Sequence, residues 1–180
     1  MLALSPDGRR GYTANVGAGS VSVLDIPDRK LLKVIPLTKT VQRIAVSNDG
    51  RWVFTSDYDQ PRIAVIDAKT DALNRWVATG ARPYVTQPTE DGRYLLVSEI
   101  PDTEDRTQPG QLEVFDMATW KVVHTYPLPA SGTGGFLLHG GLVYLSVPAA
   151  GVVEVLDPKT WAMQPPIRLT PGVDGLAWVK

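Results

Sequence analysis

Asn15, Asp57 and Glu99 each stand eight residues beyond the aspartate of an Asp-Gly pair, at Asp7-Gly8, Asp49-Gly50 and Asp91-Gly92. Arg43, Arg82 and Asp174 occupy a second set of related places, ahead of short apolar runs. Carboxylates, a carboxamide and guanidinium groups are the side chains that hold a polar ligand when they converge on a concave surface. At separate loop positions the same residues are solvated or pair with one another. A third group, Asp102, Glu104 and Asp105, lies in the segment 100–110. These are hard oxygen ligands of the kind Ca²⁺ takes, but their spacing does not match an EF-hand loop, and the alternative is a solvated loop.

Other chemistry is excluded or unsupported. The 180 residues contain no cysteine, which removes disulfides, thiolate metal sites and Cys-x-x-Cys-His cofactor attachment. His124 and His139 fall at unrelated places, so neither a Ser-His-Asp set nor a two-histidine metal site is assembled. Gly132-Thr133-Gly134-Gly135 lacks the lysine and following helix of a phosphate loop. Of the five tryptophans, Trp120 and Trp161 each follow a threonine at the same point of a unit, which reads as a packed column. A net charge of −1 argues against a basic groove beside them, so no nucleic-acid partner is expected. No apolar run is long enough for a membrane span, and residues 1–8, without a basic region or a long apolar run, are not expected to act as a signal peptide. No catalytic set, metal site or cofactor is implied.

The elements that would position these residues come from a repeat. The Asp-Gly pairs are spaced by 42 residues, and an apolar-Asp marker recurs at Asp25, Asp67, Asp116 and Asp157. Units of about 40–45 residues with four strands each are the blades of β-propellers. Each unit has a short apolar strand, a turn, a second strand (Trp52–Ser56 in unit two), a loop, and a third strand (Ile63–Ile66) ending in the marker aspartate. A fourth strand follows, near Arg75–Ala78 in unit two. The repeats run approximately 2–41, 42–83, 84–133 and 134–173, with an extra inner strand at 174–180. The four marker aspartates read as turn acceptors for backbone N–H groups. Many strands are apolar at successive positions, as expected of sheets buried on both faces. The 43% apolar content and a surface about 70% buried on folding suffice for such a core.

Ala3-Leu4-Ser5-Pro6-Asp7-Gly8, with Tyr12-Thr13-Ala14-Asn15 and Val21-Ser22-Val23-Leu24-Asp25, resembles the YVTN β-propeller repeat. Ala45–Gly50 and Ile63–Asp67 match in unit two. Units three and four depart from the pattern, with Gln87-Pro88-Thr89-Glu90 and with His139-Gly140-Gly141 in the turn. The resemblance implies an all-β propeller of four-stranded antiparallel blades, about four in this chain. It also implies that the connections between the second and third and between the fourth and first strands share one face, so that Asn15, Arg43, Asp57, Arg82, Glu99 and Asp174 converge on a channel mouth.

Because propellers of this kind close rings of about seven blades, three arrangements are open. The chain is the C-terminal part of a larger propeller, half of a ring closed by a homodimer, or a four-bladed ring. In function, the resemblance implies a non-enzymatic binding or scaffold module of periplasmic or extracellular type, with an unknown ligand or protein partner. The alternative is a lactonase-like metal-dependent hydrolase, with Asn15, Asp57 and Glu99 as metal ligands and Arg43 or Arg82 on the substrate, or a subunit of a cofactor-dependent dehydrogenase.

Overall fold

The computed structural model describes every residue except Glu104, Arg106 and Lys180. The described chain forms four separate four-stranded antiparallel sheets, each a simple meander in sequence order. Blade 1 is β1 (Leu2–Leu4), β2 (Arg10–Asn15), β3 (Ser20–Asp25) and β4 (Lys30–Pro36). Blade 2 is β5 (Val41–Val46), β6 (Trp52–Asp57), β7 (Arg62–Asp67) and β8 (Ala72–Ala78). Blade 3 is β9 (Arg82–Pro88), β10 (Tyr94–Ile100), β11 (Gly110–Asp116) and β12 (Lys121–Leu128). Blade 4 is β13 (Phe136–His139), β14 (Leu142–Val147), β15 (Val152–Asp157) and β16 (Ala162–Arg168). This is a β-propeller architecture of four blades.

Local chemistry fixes the repeating turns. In blades 1 to 3 the turn aspartate accepts the hydroxyl two residues before it, from Ser5, Ser47 and Thr89 at 2.5–2.6 Å. The same carboxylate oxygen accepts the backbone N–H of Arg9, Arg51 or Arg93 at 3.0–3.1 Å. The glycine that follows takes φ of 69–71°, a conformation costly for any residue with a Cβ. Blade 4 solves the same problem differently. Gly140 and Gly141 both have positive φ and close a two-residue hairpin, so no aspartate is needed.

The marker aspartates behave as turn acceptors. Asp67 Oδ1 takes the N–H groups of Lys69 and Thr70 at 2.8 and 3.0 Å, and Asp116 Oδ1 those of Ala118 and Thr119. These bonds hold both carboxyls below the usual carboxylate range. Four residues beyond each marker, Arg29, Asp71, Trp120 and Trp161 turn left-handed with φ of 50–58°.

The core lies between the blades. Tyr12, Val21 and Val23 meet Val41, Ile44 and Val53 in the first seam. Phe54, Ile63 and Val65 meet Leu95, Val97 and Phe115 in the second. Leu96, Leu112 and Val114 meet Val143, Leu145 and Leu156 in the third. Adjacent residues such as Val53 and Phe54, or Leu95 and Leu96, therefore serve opposite seams, which is why these strands are apolar at successive positions. Side chains also staple neighbouring blades. Arg10 reaches Asp71 at 2.8 Å, and Asn48 Nδ2 donates to the Thr89 and Glu90 carbonyls at 3.1 and 2.7 Å. Exposed apolar residues gather on the end blades, at Leu2, Leu4, Leu31 and Val34, and at Ile167 and Leu169.

One expectation is corrected. The described residues of the expected extra inner strand, 174–179, form no strand. The segment pairs with none of the four sheets, each of which is complete with the four strands of its own repeat. It lies over blade 4 instead. The Asp174 carbonyl accepts the Ser146 hydroxyl, and the Trp178 ring stacks on His139 at 3.7 Å between centroids. His139, expected in a turn, is the last residue of β13.

Candidate functional site

Arg43 is the residue that local structure singles out. It sits in β5, not in the connection ahead of it, where the pairing with β6 skips between Gln42 and Ala45. An extra residue in one strand bends it and re-aims the side chains. The Thr55 hydroxyl holds the bulge by donating to the Gln42 and Arg43 carbonyls at 3.2 and 2.7 Å. Arg43 itself takes φ of 53°. Its guanidinium lies 5.1 Å from the Tyr84 ring centroid, and Nη2 donates to the Tyr84 hydroxyl at 3.4 Å. Among the described residues it has no carboxylate partner.

Arg43, Tyr84 and Asp174 open onto one concavity of about 380 Å³, which the segment Ser131–Gly134 also lines. A line of rings and guanidinium groups runs on from it. Tyr84 is 6.4 Å from Tyr58, the Arg82 guanidinium lies 5.2 Å over Tyr58, and Arg82 forms an ion pair with Asp102. Arg82 is the first residue of β9, and with Asp102 it borders a different concavity.

The remaining expected residues do not join them. Asn15 is bonded within blade 1, accepting from Thr13 and donating to Ser20 and Ser22 at 2.8–3.1 Å. Asp57, fully buried at the end of β6, accepts Arg62 Nε at 2.8 Å and the Asp59 N–H at 3.0 Å. Glu99 lies in β10, not in a loop, and is enclosed in the seam between blades 2 and 3. The three do not form a common ligand set, and no group of three or more metal-ligating side chains occurs among the described residues. In the segment 100–110, Asp105 is satisfied by Thr107 and Gln108, and Glu104 lies outside the described residues.

The surroundings of Glu99 contain groups that motif reading missed. Its Oε2 accepts the Ala81 N–H and the Gln111 side-chain amide, both at 2.7 Å. Its Oε1 is buried and receives no hydrogen bond from the described residues. Glu113, also buried, faces the same carboxyl and accepts the Gly80 N–H at 3.1 Å. Burial, and then the neighbouring Glu113, push the Glu99 carboxyl up to about 8. The signal was in β11, where Glu113 interrupts the run Leu112–Phe115 at a place held by Ala64 in blade 2. Tyr58 and Tyr84 left no such signal, since isolated tyrosines in strands and turns are common.

No family model matches the chain. It is 26% identical over 109 residues to antigen Lp49 of Leptospira interrogans, covering 53% of this chain and 24% of that protein. It is 28% identical over 112 residues to the seven-bladed β-propeller protein Rv1057 of Mycobacterium tuberculosis, covering 59% and 28%. A third match, to dihydro-heme d1 dehydrogenase of Pseudomonas aeruginosa, is 33% identical over 69 residues, covering 38% and 14%. The chain thus spans about a quarter or less of the length of these relatives. Among solved structures, it superposes on Kuenenia stuttgartiensis hydrazine synthase with a TM-score of 0.76 at 21% identity, over 88% of this chain and 51% of that one. That likeness is one of fold.

Proposed function

We propose that this β-propeller module is a non-enzymatic binding or scaffold unit of YVTN type that contacts a ligand at its channel mouth through Arg43, Tyr84 and Asp174. The observation that carries this reading is Arg43. A bulge, a left-handed backbone and an aromatic prop hold a guanidinium toward a concavity, and among the described residues no carboxylate forms an ion pair with it. Strain of this kind persists where the surroundings over-determine it, and it clusters at ligand sites. A planar guanidinium on an aromatic face is pre-organised for an anionic group.

Placement at the cell surface or in the periplasm belongs to the same reading, and the match to a protein named as an antigen supports it. The exposed apolar faces of blades 1 and 4 support association, with a second copy completing the ring. The dehydrogenase match covers 69 residues, too short a stretch to bring that enzyme's activity across.

The test is amide NMR of the chain titrated with acetate, citrate and inorganic phosphate. Shifts are expected at Tyr84 and the 131–134 backbone, and Arg43→Ala should abolish them. Shifts that survive Arg43→Ala, or none at these amides, would count against the mouth as the ligand site.

A further inference from the structure

We propose that Glu99 and Glu113 form a buried proton-binding site, a carboxylic acid hydrogen-bonded to a carboxylate, which clamps the connection between blades 2 and 3 and loosens it when the proton leaves.

The geometry makes the pair a clamp. Two successive amides of the 79–81 connection are shared out, Gly80 N–H to Glu113 Oε2 and Ala81 N–H to Glu99 Oε2. A Cβ at residue 80 would meet Glu113 Oε1 at 2.6 Å and Gln111 Nε2 at 2.7 Å, so glycine leaves these side chains room against the connection. The connection therefore lies directly on the carboxyls. Leu95, Val97 and Glu99 form one row of β10 facing blade 2, and Gln111, Glu113 and Phe115 form the matching row of β11. The pair continues the apolar seam to its end at the mouth.

The arrangement also favours a proton. Glu99 Oε1 is buried and receives no N–H or O–H from the described residues, and the Glu113 carboxyl faces the Glu99 carboxyl. Two facing carboxylates in a buried site disfavour each other's ionisation, whereas one shared proton turns the contact into a strong hydrogen bond.

Among the described residues, no cation stands in for the proton. Arg82, at the start of β9, is turned to Asp102, and Arg62, in β7, is turned to Asp57. β12 presents Thr125 opposite Glu113, while His124 stacks on Trp161 toward blade 4. Asp59 donates its N–H to Asp57 and borders the Arg82 concavity. When the proton leaves, the O–H bond breaks, the proton passes to water or buffer base, and two like charges remain against the amides that held the connection.

The test is amide hydrogen exchange of the whole chain between pH 5 and 7.5, read at Gly80 and Ala81. Leu37 and Thr38 serve as controls, because they hold the equivalent connection between blades 1 and 2 through the Gly19 carbonyl. Where reclosing outpaces exchange, hydroxide catalysis alone gives about tenfold per pH unit. If opening also releases a proton, a further factor of about ten per unit appears at Gly80 and Ala81 only. In Glu113→Gln the side-chain amide can donate to Glu99 Oε1, and the excess should vanish. An equal slope at all four amides, or an excess that survives Glu113→Gln, would overturn the proposal. Should that variant not fold, carboxyl ¹³C titration of the natural protein decides. One protonated and one ionised carboxyl at pH 6 supports the shared proton, and two ionised carboxyls refute it.

Discussion

Arg62 donates through Nε to the buried Asp57 carboxylate at 2.8 Å while its guanidinium covers the Trp76 ring 4.0 Å from the centroid. Two residues on facing strands of one hairpin are thus locked to each other and, through Trp76, to the outer strand of blade 2. Removing Asp57 strands a guanidinium and the Asp59 N–H. Breaking a buried pair costs about 3–5 kcal/mol. Because Arg62 is about a third exposed and can turn to water, Asp57→Ala should cost roughly 2–3 kcal/mol, read by urea denaturation. Asp57→Asn, which keeps an acceptor, should cost less.

Stability should depend on pH through Glu99. Its folded value, about 8, is raised above the 4.5 of an unperturbed glutamate, so the folded state binds the proton more tightly than the unfolded one. Stability from this group is complete below pH 4.5, falls as pH rises toward 8, and levels off above. The slope is at most about 1.4 kcal/mol per pH unit. Denaturation midpoints between pH 5 and 9 check this, and Glu99→Gln should flatten the curve.

Arg43 should separate stability from binding. The left-handed backbone costs a residue with a Cβ about 1–2 kcal/mol, and glycine returns part of this as lost chain entropy. Arg43→Gly is expected to gain roughly 0.5–1 kcal/mol in a denaturant melt while losing the anion-induced amide shifts at the mouth. A destabilised variant would show that the bulge depends on the arginine side chain.

Phe54 fills the second seam, buried against Leu95, Val97 and Phe115, with the Trp120 ring 6.3 Å away. Phe54→Ala should cost about 3–5 kcal/mol in the same assay. It should also raise hydrogen exchange in both β6 and β10, since each lines the same seam.

The end blades should drive association. Light scattering after size exclusion is expected to give a mass of at least twice 19.6 kDa. A double change of Leu31→Lys and Ile167→Lys, on exposed apolar positions of blades 1 and 4, should lower it. A monodisperse monomer would show that these faces need no cover.

The blade plan was legible because its chemistry is local. An Asp-Gly turn closes on a hydroxyl two residues earlier, and a marker aspartate closes on amides two and three residues later, so the period shows in the residues themselves. Blade 4 keeps the plan while changing the turn, and its glycines were the visible trace of that change. The mouth was less legible. Arg43 is re-aimed by a bulge held from Thr55, twelve residues on, and Tyr84 comes from the next blade. Asp57 took its partner from five residues away, which the spacing allowed but did not demand. The 174–179 segment matched the first strand of a further unit by its place in the repeat, yet a strand needs partners, and the segment packs on blade 4 through side chains instead.

The four sheets share no strand among the described residues and are joined by side chains and short connections. Under a pull at the two ends such a molecule has no continuous ladder to carry the load. It should let go in steps, a 42-residue blade releasing about 140–150 Å of extended chain. The force at each step would report the strength of one seam, and the second seam would read differently on either side of neutral pH.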